Sequence, residues 1–351
     1  MMHKSILMKS TIVIISMFLL FSFNNQDIMP DGPDAWKTVP EQIEIEVPVV
    51  FDSEGKTKYI DISNGQRLLS DDPLEIMERI ERLNESDGFN IVFLGDSVVY
   101  GDGTLDERRT IPALLKKKLS MVKTDQAINV FNFALPSAGP ADVYLIAREL
   151  GNSKIDLCIY DLNVGWLDRQ ETLEHPVLLN LGANKELDKA TYHVYNMDLV
   201  EANTYNIYEL DYNLEDLATP WNEKNWDGVF YTEDGSQFGR IRPEWSEQWV
   251  YTQKIVTLLH EKNIKALFFA IPRNFKLLEE YNFIDYPAYF SVQKDIFSYL
   301  ESEDVNVINL DYAVPYDYFA DVVHLLPDGE EIVANKLLNH VINIMPEENI
   351  K

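Results

Sequence analysis

Three side chains in this sequence have the types and the placing that nucleophilic catalysis needs. Ser97 follows Gly95 and Asp96 directly after an apolar run, 91–94, that reads as a buried strand. A serine delivered at the end of a core strand is held rigidly at a cleft, where its hydroxyl can be aimed at a carbonyl and activated by a base. Far along the chain, Asp321 and His324 stand three residues apart, a spacing that lets both side chains face one way from a turn or helix. Each piece alone is ordinary turn, cap or core chemistry. Together they supply a nucleophile, a base and an orienting carboxylate for acyl transfer.

What must position them is a set of short buried strands. The strand at 91–94 is followed by apolar runs at 127–133, 154–160, 264–271 and 305–310, each ending in turn residues. The second ends in a segment holding Ser137 and Gly139, the third in Asp161-Leu162-Asn163, and the fourth in Pro272-Arg273-Asn274. Helical spacing appears at 71–83, with Leu74, Met77, Ile80 and Leu83 on one side, and at 110–119 and 141–150. A last amphipathic helix follows Gly329 through Ile332, Val333, Leu337 and Leu338, and Lys116 to Lys118 read as a solvated helix face. Buried strands alternating with helices predict an α/β domain with a parallel, helix-flanked sheet, whose sites gather at the carboxyl ends of strands.

The chain has 351 residues, enough for one large α/β domain with insertions or for two smaller ones. Asp and Glu number 58 against 30 Lys and Arg, a net charge of −28 that repels phosphate backbones and anionic headgroups, so no nucleic-acid partner is expected. The single cysteine, Cys158, lies in an apolar run and reads as a buried structural thiol. Asp211, Glu215 and Asp216 cluster without tight ligand spacing and no zinc pattern occurs, so neither metal nor cofactor is expected. At the N-terminus, His3, Lys4 and Lys9 precede an uncharged run at 11–23. Residues 1–23 therefore read as a signal peptide or an N-terminal membrane anchor, with the body of the protein extracytoplasmic. Residues 24–62 read as a spacer and a β-hairpin around Ser53-Glu54-Gly55, and 63–345 as the main domain. An insertion at about 166–250 interrupts that domain and carries Trp166, Trp221, Trp226, Trp245 and Trp249. It is either a cap packing its own core or a cleft wall offering flat aromatic faces to a sugar.

Four blocks carry a family resemblance: Gly95-Asp96-Ser97 after a hydrophobic strand, an Asn-x-Ala-x-Pro-Ser block from Asn132 to Ser137, Asn163 after the next strand, and Asp321-x-x-His324. In order and spacing, over residues 90–339, they resemble the SGNH (GDSL-type) hydrolases. That resemblance implies a flavodoxin-like three-layer α/β/α sandwich and ester hydrolysis or acyl transfer. It makes Ser97 the nucleophile, His324 the base and Asp321 its orienting partner. The oxyanion hole would comprise the Ser97 N–H, a backbone N–H of the second block and the Asn163 side chain. Two departures stand out. Where Ser137 falls the family usually has glycine, with Gly139 two residues on, and the usual Gly-x-Asn-Asp of the third block reads Asp161-Leu162-Asn163-Val164. Asp96, beside the nucleophile, and Trp166, at the head of the insertion, are expected to contact substrate. The resemblance implies a serine esterase acting on small-molecule or carbohydrate esters, O-acetyl groups of envelope or extracellular polysaccharide among them. An O-acyltransferase of the same fold, or a catalytically silent glycan-binding module, are the alternatives.

Overall fold

The computed structural model describes residues 49–51, 57–59, 64–68, 73–122, 127–168, 218–226 and 246–346. The expected N-terminal signal or anchor, most of the spacer, and most of the insertion, Trp245 included, lie outside the described residues. The chain divides into two units, 1–58 and 59–351. β1 (Val49–Phe51) and β2 (Thr57–Tyr59) form a two-stranded sheet, and the turn expected at Ser53 to Gly55 lies outside the described residues.

The main domain begins with helix α1 (Pro73–Glu85), which buries Ile76, Ile80 and Leu83. Met77, expected on that face, is 45% exposed, because the helix turns Ile76 and the guanidinium of Arg79 inward instead. Arg79 is tolerated there because its Nη1 and Nη2 donate to the carbonyls of Gln66, Arg67 and Asn132 and Nη2 pairs with Glu75 at 3.4 Å, although its Nε has no partner among the described residues.

The sheet has five strands: β3 (Phe89–Leu94), β4 (Ile128–Asn132), β5 (Leu157–Leu162), β6 (Lys265–Ala270) and β7 (Asn306–Asn309). Their order is β4-β3-β5-β6-β7, every pair parallel. β3 and β5 are buried along their whole length, which is why the stretches 91–94 and 157–160 read in the sequence as apolar runs. In the edge strand β7 only Ile308 is buried, and Asn306 and Asn309 are exposed.

Helices connect the strands and cover the sheet on both faces: α3 (Ile111–Met121), α4 (Pro140–Leu150), α5 (Glu247–Glu261), α6 (Phe275–Glu280), α7 (Tyr286–Ser302) and α8 (Pro327–Ile344), with the short α2 (Ser97–Tyr100) directly after β3. From β3 the chain steps outward to β4 and then returns across β3 to β5. With right-handed crossovers, that reversal puts the first connecting helix on one face and the later ones on the other. Accordingly α3 packs against α8, whereas α4 packs against α5. The strand order and the two helical layers make this a flavodoxin-like, doubly wound α/β/α sandwich, the architecture that the SGNH resemblance implies. The reversal opens a crevice at the carboxyl ends of β3 and β5, and the sequence blocks converge there.

Candidate active site

Ser97 is the first residue of α2, and Asp96 is its N-cap. The Val98 N–H donates to Asp96 Oδ1 at 2.9 Å, so the chain turns sharply from strand into helix with the serine at the bend. Gly95 permits that bend: a Cβ there would run into the Asp161 carboxylate, whose oxygens accept the Asp96 N–H at 3.1 and 3.2 Å. Ser97 itself is 9% exposed.

His324 is presented by the loop between β7 and α8. Phe319 and Leu325 pair as an isolated antiparallel bridge, and the Ala320 N–H donates to the His324 carbonyl at 2.8 Å, which closes the loop on itself. Inside it, Asp321 Oδ1 accepts the N–H groups of Val323 and His324, both at 2.8 Å. Local bonding of this kind is why aspartate suits such a turn. It leaves Oδ2 to accept the His324 Nδ1–H at 2.6 Å. A carboxylate only accepts, so it fixes the tautomer, and Nε2 becomes the acceptor for the Ser97 hydroxyl at 2.7 Å. Gly103 packs directly under the Leu325 carbonyl, with no room for a Cβ, so the turn after the nucleophile lies against the base loop.

The electrostatics follow from this packing. Burial by itself would lower His324, but the Asp321 charge and hydrogen bond, with the nearby charges of Asp102 and Asp96, outweigh it and raise the imidazole to about 9. For Asp321 burial works upward, and the imidazole charge with three hydrogen bonds wins, holding the carboxyl below its ordinary value. Burial pushes Asp102 up to about 6 against the opposing pull of His324 and Arg67. Burial and the adjacent Asp96 charge drive Asp161 far above the usual carboxylate range. In β5, burial pushes the Cys158 thiol up to about 12, which suits a structural residue.

The oxyanion donors sort themselves by their bonds. The Ser97 N–H has no partner among the described residues. In the second block the Ala138 N–H donates to the Leu135 carbonyl, closing a turn with Pro136 second and Ser137 third. Ser137 has φ +59°, the left-handed conformation that the third position of a type II turn demands and that glycine most easily adopts. It is exposed, its N–H has no partner among the described residues, and the Leu135 N–H ties the turn to the Gly95 carbonyl. Gly139 does not share this role. Its φ is −79°, and its N–H donates to Asp142 Oδ2 at 3.0 Å, so the first turn of α4 reaches back to it.

Asn163 lies just past β5, with Oδ1 accepting from the Gly165 N–H and from Arg273, and Nδ2 donating to Asp96 Oδ2 at 2.7 Å. One amide hydrogen remains beyond that bond. Asp96 and Trp166, both expected to contact substrate, are bonded to each other. Trp166 is 8% exposed and Asp96 2%, and the indole Nε1–H donates to Asp96 Oδ2 at 2.7 Å. The pair braces the serine turn from behind. Two other tryptophans of the expected cleft wall are also core: Trp221 donates to the Tyr316 carbonyl at 2.8 Å, and Trp249 sits edge-on to Tyr299 at 5.1 Å.

Asp102, Asp161, Arg273 and Asn274 belong to this neighbourhood; the sequence marks the last three only as residues of strand exits and gives none of the four a role. The signal available was a charged residue immediately after a buried strand, as in Pro272-Arg273-Asn274. Among the described residues no cluster of His, Cys, Asp and Glu is placed to hold a metal ion, and no helix is long and apolar enough to cross a membrane.

No family model and no curated protein matches the chain. Solved structures similar to it include a GDSL-like lipase from Bacteroides thetaiotaomicron, at TM-score 0.39 and 13% identity over 73% of this chain and 89% of that one. A lipase/acylhydrolase from Enterococcus faecalis is similar at TM-score 0.39 and 15% identity, over 73% of this chain and 96% of the other. A carbohydrate acetylesterase family member from Sinorhizobium meliloti is similar at TM-score 0.38 and 13% identity, over 73% and 98%.

Proposed function

We propose that this chain is a serine hydrolase of the SGNH type that cleaves esters through Ser97, His324 and Asp321. The observation that carries the reading is the unbroken line from the Ser97 hydroxyl to His324 Nε2 at 2.7 Å and from His324 Nδ1 to Asp321 at 2.6 Å. A serine and an Asp-x-x-His pair whose histidine lies 227 residues further on meet in this geometry at the crevice where doubly wound sheets hold their ligands.

In the mechanism, Ser97 Oγ attacks an ester carbonyl as its proton passes to His324 Nε2. The carbonyl oxygen takes the negative charge, and the N–H groups of Ser97 and Ser137 with the Asn163 amide receive it. His324 then protonates the departing alcohol, leaving an acyl group on Ser97. Water, activated by the same imidazole, releases the acid and restores the serine. A sugar hydroxyl in place of water would make the protein an acyltransferase, so the ratio of hydrolysis to transfer decides between those two outcomes. The silent glycan-binding alternative has no such observation in its favour, because a module without turnover has no need of a connected base.

The substrate class in this reading is an acylated small molecule or carbohydrate outside the cytoplasm. The basic residues ahead of the uncharged run at 11–23 support export. The net charge of −28 supports a neutral ester over an anionic lipid surface. The test is hydrolysis of p-nitrophenyl acetate by the purified protein and by Ser97→Ala. The parent should turn over, and the variant should lose at least about 10³-fold in kcat. An inactive parent, or a variant that keeps its rate, defeats the proposal.

A further inference from the structure

An arginine at the exit of β6 sets how Asn163 presents its amide. Arg273 is 1% exposed, a depth at which a charge must be both paired and hydrogen-bonded. Its Nη2 donates to Asn163 Oδ1 at 2.7 Å and its Nε to the Tyr289 hydroxyl at 3.2 Å. That hydroxyl donates to Asp311 Oδ1 at 2.8 Å, and Gln293 Nε2 donates to the other oxygen of the same carboxylate at 2.5 Å. Asp311, also 1% exposed, is the buried countercharge.

A carboxamide is an acceptor at one end and a donor at the other, whereas a guanidinium only donates. The cation therefore claims the oxygen end of Asn163, and the NH2 end must face the serine turn, where Nδ2 meets Asp96. In an oxyanion hole that orientation decides the sign of the effect: the NH2 stabilises a developing negative charge and the carbonyl end repels it. We propose that Arg273 is the positioning residue of the oxyanion hole, locking and polarising Asn163 so that its NH2 end faces the reacting carbonyl. The inference rests on the serine-hydrolase reading above. The next residue adds a second tie. Asn274 donates its N–H to the Val322 carbonyl at 2.8 Å and its Nδ2 to the Asp321 carbonyl at 3.2 Å. One dipeptide thus sets the oxyanion donor in register with the loop that carries the base.

The test compares p-nitrophenyl acetate kinetics of the parent, Asn163→Ala, Arg273→Met and the double variant. Because the amide acts on charge that exists only in the transition state, Arg273→Met should lower kcat by about 10- to 100-fold and leave KM within about twofold. With Asn163 already removed, the same substitution should lower kcat by less than about a further twofold. Arg273→Met with Asp311→Asn keeps the buried charge balanced and should behave like Arg273→Met, which separates positioning from folding. Arg273→Lys, which keeps the cation without the fork of donors, should recover part of the loss. Losses that simply multiply in the Asn163→Ala background, or a raised KM at unchanged kcat, overturn the inference while leaving the hydrolase reading intact. A parent protein without turnover overturns both.

Discussion

His324 must be neutral to take the Ser97 proton, yet its surroundings favour the charged form. The Asp321 carboxylate that aims the ring also holds the proton on it, lifting the imidazole to about 9. Catalysis should therefore climb with pH through the neutral and mildly alkaline range as the base is uncovered, with kcat/KM levelling only above that value. Asp321→Asn should move the rise to lower pH, because the charge is gone, and should cut the plateau by roughly 10³- to 10⁴-fold, because the ring loses its tautomer and aim. A pH–rate profile of both proteins checks this, and an unmoved rise in the variant would contradict it. Stability carries the same linkage. The folded value lies above the ordinary imidazole value of roughly 6.5. The contribution is therefore fully present below that value and is lost as pH climbs through about 9. The three triad residues were legible because serine after a buried strand and Asp-x-x-His are statements about residue type and short spacing. Adjacency to the nucleophile marked Asp96 and Trp166, but that the Asp96 carboxylate accepts both the Val98 N–H and the Trp166 indole N–H is visible only in the fold. Choosing Ser137 over Gly139 needed backbone angles, since serine seldom stands where φ is positive.

The strands were legible as apolar runs because both faces of a parallel sheet are covered. The connecting helices were less so. α5 buries Gln248 and Thr252 among Trp249, Tyr251, Ile255, Val256 and Leu259, so its inward stripe does not read as apolar. Gln248 is there because its Oε1 accepts the Ala141 N–H at the start of α4, a need that exists only once the two helices pack. α7 blurs its period in the same way, with Gln293 inward for Asp311. Glu330 in the first turn of α8 is a third case. α3 has no side-chain cap of its own at Thr110, and Glu330 Oε2 accepts the Ile111 N–H at 2.8 Å, so one helix caps another. Burial raises this carboxyl to about 8, against the pull of the Ile111 bond and the Arg67 charge. A raised acid stabilises the fold while it is protonated and costs stability as pH climbs from its unfolded value toward the folded one. The melting temperature of the parent should accordingly fall between about pH 5 and pH 8. Glu330→Gln, which keeps an oxygen for Ile111 and cannot ionise, should flatten that part of the fall. Parallel pH curves for the two proteins would rule this role out.

The molecule assembles its site from segments that only the doubly wound topology brings together. The exits of β3 and β5 diverge because the chain reverses direction between them, and Ser97 and Asn163 stand on the two lips of that opening. The turn after β4 brings Ser137, the exit of β6 brings Arg273 and Asn274, and the loop after β7 brings Asp321 and His324. No single segment holds the chemistry, and a slip in the register of the strands from β3 across to β7 would separate the base from the nucleophile. The most direct test of their convergence is covalent. The purified protein is incubated with a fluorophosphonate, and its intact mass and modified peptide are read. A single adduct should form, located on Ser97, absent in Ser97→Ala and formed far more slowly in His324→Ala. No adduct on the native protein, or one that persists undiminished in Ser97→Ala, would contradict the assignment of Ser97 as an activated nucleophile.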